Sequence, residues 1–303
     1  MEKRSITKKL ANIALGIGTF CAGNSLIQYA GSLQDREPPQ PTALIQRLGD
    51  RESYEPEQET KYAFLVAGLS KRNIGADSRF RDSLAHTYLT LQKNGYSKDN
   101  IIILDEVGES NGLYPVDGPA SKEAIGKVMD YLSTHVDSND SVYFGFISHG
   151  GRVEREIEGT KKELSTFLLP GEDIDQVELA RLTEKINPEE GLFFIDSCYS
   201  GGFAEEIGAV KGRNYVAVSS TTANELTVST NYKKIPSYYF VDALNNKEIA
   251  DSNEDGKISA NEAFNYMWDK RYPTLPIDMG KKYVPNSGAP QIKSTINTDE
   301  VSF

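Results

Sequence analysis

The chain has 303 residues, 38% hydrophobic and 25% charged, enough apolar mass for one large soluble domain or two small ones. Its 44 Asp and Glu against 33 Lys and Arg give a formal net charge of −11. That argues against nucleic-acid partners, since phosphate binding needs clustered cations. Two cysteines, Cys21 and Cys198, exclude a disulfide framework and any Cys-x-x-Cys metal spacing.

In chain order, Lys3, Arg4, Lys8 and Lys9 precede a mostly apolar run from Leu10 to Ala22, the layout of a secretory signal. Residues 1–30 therefore read as a signal peptide or an uncleaved anchor, and the protein as exported: secreted, periplasmic or membrane-tethered. Asn12, Asn24 and Gln28 weaken the case for a full span, so any membrane contact is confined to this segment. Residues 31–57 are polar and proline-containing, a linker or pro-segment.

Order begins at "KYAFLVAGL" (61–69), an apolar run suited to a strand covered on both faces. "DSRFRDSLAHTYLTLQKNGY" sets Phe80, Leu84, Tyr88 and Leu91 at helical spacing and stops at Gly95. "NIIILDE" (100–106) is a second strand, "SKEAIGKVMDYLSTHV" (121–136) a second helix and "DSVYFGFISHGG" (140–151) a third strand. A charged stretch through Lys162 reads as flexible, "STFLLPG" as a short hairpin strand and "DQVELARLTEKI" (175–186) as a helix. "GLFFIDSCYSGGF", opening at Gly191, is the fourth long strand, and "NYVAVSSTT" (214–222) the fifth. Strands alternating with helices of this length imply an α/β fold: a mostly parallel sheet with helices on both faces, three layers in all. The domain is expected to span 58–275, followed by a tail at 276–303.

In such sheets the working residues gather where the carboxyl ends of strands open into loops. His149 ends the third strand and Cys198 the fourth, so both share one rim if those strands are neighbours. A thiol with a pKa of about 8.5 is only a few per cent thiolate near neutrality. A neighbouring imidazole can hold the thiolate and pass its proton to a departing amine. N–H groups at glycine turns suit the oxyanion, and Gly150 and Gly201–Gly202 stand beside the two blocks. Taken singly, either residue reads as structural, a lone cysteine being most often an inert buried hydrophobe. Together, each ending an apolar strand in "ISHGG" and "IDSC", they read as a catalytic pair. His86 fits a packed helix and His135 a surface loop, so neither is the expected base.

"FISHGG" and "FFIDSCYSGG" resemble the His-Gly and Asp-Ser-Cys blocks of the caspase-like cysteine peptidases, the clan of caspases, metacaspases and legumains. Cys198 follows His149 by about 50 residues, the caspase interval. The opening from Lys61 to Glu106, with "VAGL" and "NIIILDE", resembles that of the legumain family, and "YVAVSSTTANEL" resembles the strand edging its substrate cleft. The similarity covers roughly residues 61–245. It implies a caspase-like three-layer α/β/α fold, with Cys198 as nucleophile and His149 as general acid/base. The N–H groups of Gly150 and Cys198 would form the oxyanion hole.

By the same resemblance Asp196 would lie in the S1 pocket and favour Arg or Lys at P1. Its alternative is a helix cap or a loop hydrogen bond. Arg79 sits near where legumains carry a substrate-binding arginine, and Ser219 and Ser220 would line the cleft wall. The cysteine block reads Asp-Ser-Cys rather than the Glu-Ala-Cys of legumains, so cleavage after Asn does not follow from it.

A second motif is independent of the first. "DSNEDGKISANE" (251–262) matches the twelve-residue loop of an EF-hand position by position. Asp251, Asn253 and Asp255 supply oxygens, Gly256 the sharp turn, Lys257 its carbonyl, Ser259 the ninth position and Glu262 the closing bidentate acid. Ile258 anchors the loop, and both flanks suit helices. Calcium is thus the expected cofactor, with no organic cofactor implied. The expected activity is cysteine endopeptidase action on protein or peptide substrates, after a basic P1 residue. The alternatives are cleavage after Asn, transamidation through the same thioester, or a non-catalytic calcium-binding module on a dead peptidase fold. The charged stretch 152–163 is a candidate autoprocessing site.

Overall fold

The structure, a computed structural model, describes residues 59–68, 79–108, 112–227, 235–271 and 289–303, together with Leu44, Leu48 and Gly49. The expected signal or anchor at 1–30 lies outside the described residues.

Seven strands form the central sheet in the order β10-β9-β8-β4-β1-β2-β3. They are β1 (Lys61–Ala67), β2 (Ile101–Asp105), β3 (Gly118–Pro119), β4 (Ser141–Ile147), β8 (Glu190–Asp196), β9 (Tyr215–Ser219) and β10 (Gln291–Ser294). All pairings are parallel except β9 with β10. The long strands read as apolar runs because both of their faces are covered. In β1, Ala63, Leu65 and Ala67 belong to one core, and Tyr62, Phe64 and Val66 to the other. The same alternation splits Leu192 and Phe194 of β8 from Phe193 and Ile195.

Helix α1 (Arg79–Lys93) buries Phe80, Leu84, Tyr88 and Leu91 against the first face. It stops as the sequence suggests, with Gly95 at φ +95°. Helices α2 (Lys122–His135) and α3 (Gln176–Thr183) cover the second face with Ile125, Val128, Leu132 and Leu179. The Ser121 side chain caps α2 by accepting the Ala124 N–H at 3.1 Å, and Asp175 with Glu178 forms a capping box at α3. Helix α4 (Gly201–Gly208) follows β8 on the second face, while α5 (Pro236–Asp242), the short α6 (Lys247–Ala250) and α7 (Ala260–Arg271) follow β9. The architecture is a three-layer α/β fold with a mostly parallel seven-stranded sheet.

Three readings need correction. The charged stretch through Lys162 is a regular hairpin, β5 (Gly150–Ile157) against β6 (Thr160–Leu169), extended by β7 (Glu172–Asp175) into a separate three-stranded sheet. Its turn has Glu158 at φ 51° and Gly159 at φ 74°, the two positive values a two-residue hairpin turn demands. Its charges pair across the ladder, Arg152 with Glu163 at 2.7 Å and Lys161 with Glu154 at 2.6 Å. A backbone already paired in this way is not a ready substrate for autoprocessing. Second, the described part of the expected tail is structural. β10 pairs antiparallel with β9 from Gln291↔Ser219 to Ser294↔Val216, and Val301 and Phe303 are buried. Third, within the expected linker Leu44 and Leu48 are buried in the second core. Among the described residues no helix is long and apolar enough to cross a membrane.

Candidate active site

β4 and β8 are parallel neighbours, in register through Ile147↔Asp196. His149 and Cys198 each lie two residues beyond that last rung, so the condition set by the sequence is met. The Ser148 N–H donates to the Asp196 carbonyl at 3.1 Å, which carries the register one step past the strands. Gly150 then meets the cysteine directly. A Cβ built there would fall onto the Cys198 carbonyl oxygen and stand 3.0 Å from the Cys198 nitrogen. Only glycine permits this approach. The two backbone segments expected to supply oxyanion donors are therefore in contact, and the His149 and Cys198 side chains are both half-buried. Gly201 and Gly202, by contrast, are glycine because of packing at the start of α4. A Cβ at Gly201 would stand 2.6 Å from the Thr222 carbonyl carbon.

The Phe80 ring packs edge-on against the His149 imidazole, centroids 5.2 Å apart at 68°. The Arg79 guanidinium lies 5.3 Å over that same Phe80 ring. Arg81, the other arginine of the segment, turns away to Asp105 at 3.7 Å. Of the two, Arg79 shares with His149 a contact to Phe80.

Asp196, assigned by the resemblance to a substrate pocket, is 3% exposed, and its Oδ2 accepts the Ser237 N–H at 2.8 Å. Pro236 and Ser237 open α5, so the carboxylate caps that helix from a neighbouring strand. Ser219 and Ser220 do not line a cleft wall either; both are fully buried. The Ser219 hydroxyl donates to the Thr221 carbonyl at 2.9 Å. The Ser220 hydroxyl reaches the Ser197 carbonyl at 3.3 Å and Thr227 Oγ1 at 2.8 Å, and the Thr227 hydroxyl donates to the Ser197 carbonyl at 2.9 Å. The carbonyl just before Cys198 thus faces two hydroxyls.

Tyr199, just after the cysteine, escaped the sequence reading. Its φ is +61°, a left-handed conformation that costs a bulky residue free energy and survives only where its surroundings impose it. Its N–H donates to the Glu225 carbonyl at 2.8 Å, and the Arg152 guanidinium lies 4.7 Å over its ring. Nothing in "DSCYSGG" announces this, because the clamps come from residues far off in sequence.

Neither of the other histidines approaches the pair. His86 stacks on Tyr238 at 3.9 Å with Nε2 3.2 Å from Asp242 Oδ1, and His135 stacks on Tyr131.

The 251–262 loop forms the expected turn between α6 and α7. Gly256 has φ +83°, Asp251 accepts the N–H groups of Asp255 and Gly256, and Asp255 accepts that of Lys257. Ile258 is buried. Ser259 and Glu262 also form a capping box at the start of α7. The Glu262 carboxylate accepts the Ser259 N–H at 3.0 Å, and Ser259 Oγ accepts the Glu262 N–H at 3.2 Å. The other carboxylate oxygen accepts the Ser252 N–H at 2.8 Å. Burial alone would raise the Glu262 pKa, but these donors from Ser259 and Ser252 outweigh it and hold the carboxyl below its usual range. The oxygens are of the hard type calcium takes. Among the described residues, however, no group of three or more His, Cys, Asp or Glu stands close enough to hold a metal ion. The loop has the hard oxygens and the glycine turn that calcium takes.

A cavity of about 520 Å³ lies against this loop, lined by Ala250, Ser252, Glu262, Asn265, Tyr266 and Asp269 among others.

No family model matches the chain, and no curated protein matches it. A crystal structure of a structural-genomics target protein from Geobacter sulfurreducens is similar, with a TM-score of 0.52 at 10% identity over 80% of this chain and 97% of that one. That likeness concerns the fold alone.

Proposed function

We propose that the chain is a caspase-like cysteine endopeptidase, exported through its N-terminal segment, that acts on protein or peptide substrates. The observation that carries this reading is the β4–β8 register, which brings "ISHGG" and "IDSC" to one rim with Gly150 against the Cys198 backbone. The Cys198 thiolate attacks the scissile carbonyl carbon, and the carbonyl electron pair moves to oxygen, facing the N–H groups of Gly150 and Cys198. The tetrahedral intermediate collapses, the C–N bond breaks and His149 gives its proton to the leaving amine. A thioester remains. Water, deprotonated by His149, attacks it and releases the acid and the thiol. An amine in place of water would give transamidation.

At P1, the basic-residue reading rested on Asp196, whose carboxylate is buried as a helix cap. Arg79 lies over the Phe80 ring that packs against His149, while Arg152, over the Tyr199 ring, is paired with Glu163. A guanidinium fork suits the amide of Asn or the carboxylate of Asp better than Lys or Arg. We therefore put Asn or Asp first at P1, ahead of the basic residues. Calcium, if bound, would be held by Asp251, Asn253, Asp255, the Lys257 carbonyl, Ser259 and Glu262. It would brace the start of α7.

A fluorogenic peptide panel with Arg, Lys, Asn and Asp at P1, run on wild type and Cys198→Ala with calcium and with chelator, tests the proposal. Turnover that drops by on the order of 10⁴-fold in the variant is expected. Equal rates in the two proteins, or none in either, would remove the peptidase reading. A non-catalytic calcium-binding module would then be left.

A further inference from the structure

The left-handed Tyr199 needs a cause. A residue with a bulky side chain at positive φ persists only where its surroundings over-determine it, and such residues cluster at functional sites. Here the surroundings can be named. On one side the 220–227 loop holds the turn through the Ser197 carbonyl and the Tyr199 N–H. On the other stands the hairpin, with the Arg152 guanidinium 4.7 Å over the Tyr199 ring. Arg152 is itself paired, since its NH1 donates to Glu163 Oε2 at 2.7 Å on the adjacent strand, an exposed bridge. Gly150 lies so close to the Cys198 carbonyl that it has no room for a side chain.

Resting on the peptidase reading above, we propose that Arg152, braced by Glu163, is a positioning residue that pins Tyr199 in its left-handed conformation and thereby aims the Cys198 thiolate. The argument is geometric. Cys198 sits between a carbonyl held by two hydroxyls and a tyrosine held by a cation. If the tyrosine relaxes to negative φ, the peptide joining it to the cysteine rotates, and the Cys198 carbonyl that packs against Gly150 turns with it. Charge alone does not do this: the guanidinium carbon lies 4.7 Å from the ring centroid, and a planar guanidinium can cover a ring in a way that lysine's ammonium cannot. The β5–β6 hairpin, whose charges looked like a solvated loop, then has a task at the site.

The test uses alkylation of Cys198 by iodoacetamide, followed by mass spectrometry across a pH series, beside peptide turnover. Thermal unfolding of each variant verifies that it folds. Arg152→Ala should slow alkylation roughly three- to tenfold. Arg152→Lys should slow it nearly as much, although the charge is kept. Glu163→Gln should give a smaller loss of the same sign. In a Tyr199→Gly background, where positive φ carries no penalty, Arg152→Ala should change the rate within about twofold.

Full retention of reactivity in Arg152→Lys would assign the effect to charge and overturn the proposal. So would an equal effect of Arg152→Ala in both backgrounds, or no effect in either. The thiol measurement stands apart from turnover. Coupling between Arg152 and Tyr199 with no peptide cleaved would sink the peptidase reading and leave the positioning role intact. Peptide cleavage without coupling would do the reverse.

Discussion

The cysteine rim and the 251–262 loop are held together in opposite ways. The rim is assembled from distant pieces: β4 and β8 set His149 and Cys198 in step, while Ser220, Thr227, Glu225 and Arg152 reach in from elsewhere. The loop is built from itself, with Asp251, Asp255 and Glu262 accepting N–H groups no more than ten residues away. Local hydrogen bonds are easy to read along a chain and cheap to break. Long-range ones are hidden in the sequence and fail together.

The largest expected effect tests the rim. Gly150→Ala forces a methyl group onto the Cys198 carbonyl, so either the two loops part or the fold strains. We expect a loss of about 1–3 kcal/mol in chemical denaturation and at least ~10²-fold in turnover. A variant of wild-type stability and rate would mean the two blocks do not touch.

Next comes Asp196. Removing its carboxylate in Asp196→Ala leaves the buried Ser237 N–H unsatisfied and should cost about 1–3 kcal/mol of stability. Asp196→Asn keeps an acceptor and should recover most of it, with the order of P1 preference unchanged. A switch in that order would return Asp196 to the substrate pocket and weaken the contrast between a structural acid and the flanking cations.

The smallest effect belongs to the loop. The Glu262 carboxyl is held below its ordinary value of 4.5, so its contribution to stability is fully present above that pH and is lost as pH falls through the lower folded value. Glu262→Gln should flatten that acid limb of a pH–stability curve and shift little at neutral pH. Calcium at a hundred times its dissociation constant would add about 2.7 kcal/mol to wild type, and far less to the variant. No thermal shift with millimolar calcium against chelator would reduce the loop to a cap for α7.

Much of the fold was legible because burial leaves a plain mark. Phe64, Phe144 and Phe193 sit in apolar runs that can only be strands with both faces covered. His149 and Cys198 were legible for a related reason, since each breaks such a run. β10 was not, because "QIKS" is short, half-exposed and paired with a strand some seventy residues earlier. Nor was the hairpin, where Glu154, Arg155 and Glu156 resemble a solvated loop until their partners on β6 are known. Glu262 was read as the closing acid of a calcium loop, and its Ser-x-x-Glu spacing also spells the helix start it makes here. Sequence alone does not choose between the two.

The turn at Glu158 and Gly159 has a practical use. It closes a ladder that starts at Gly150, so at about 3.3 Å per residue it stands about 25 Å along the strand from Gly150. Both of its residues are exposed. An affinity tag or a fluorophore-bearing peptide inserted between them would leave every strand end at the rim anchored as before. It would also give engineers a handle that reports on the site without standing in it.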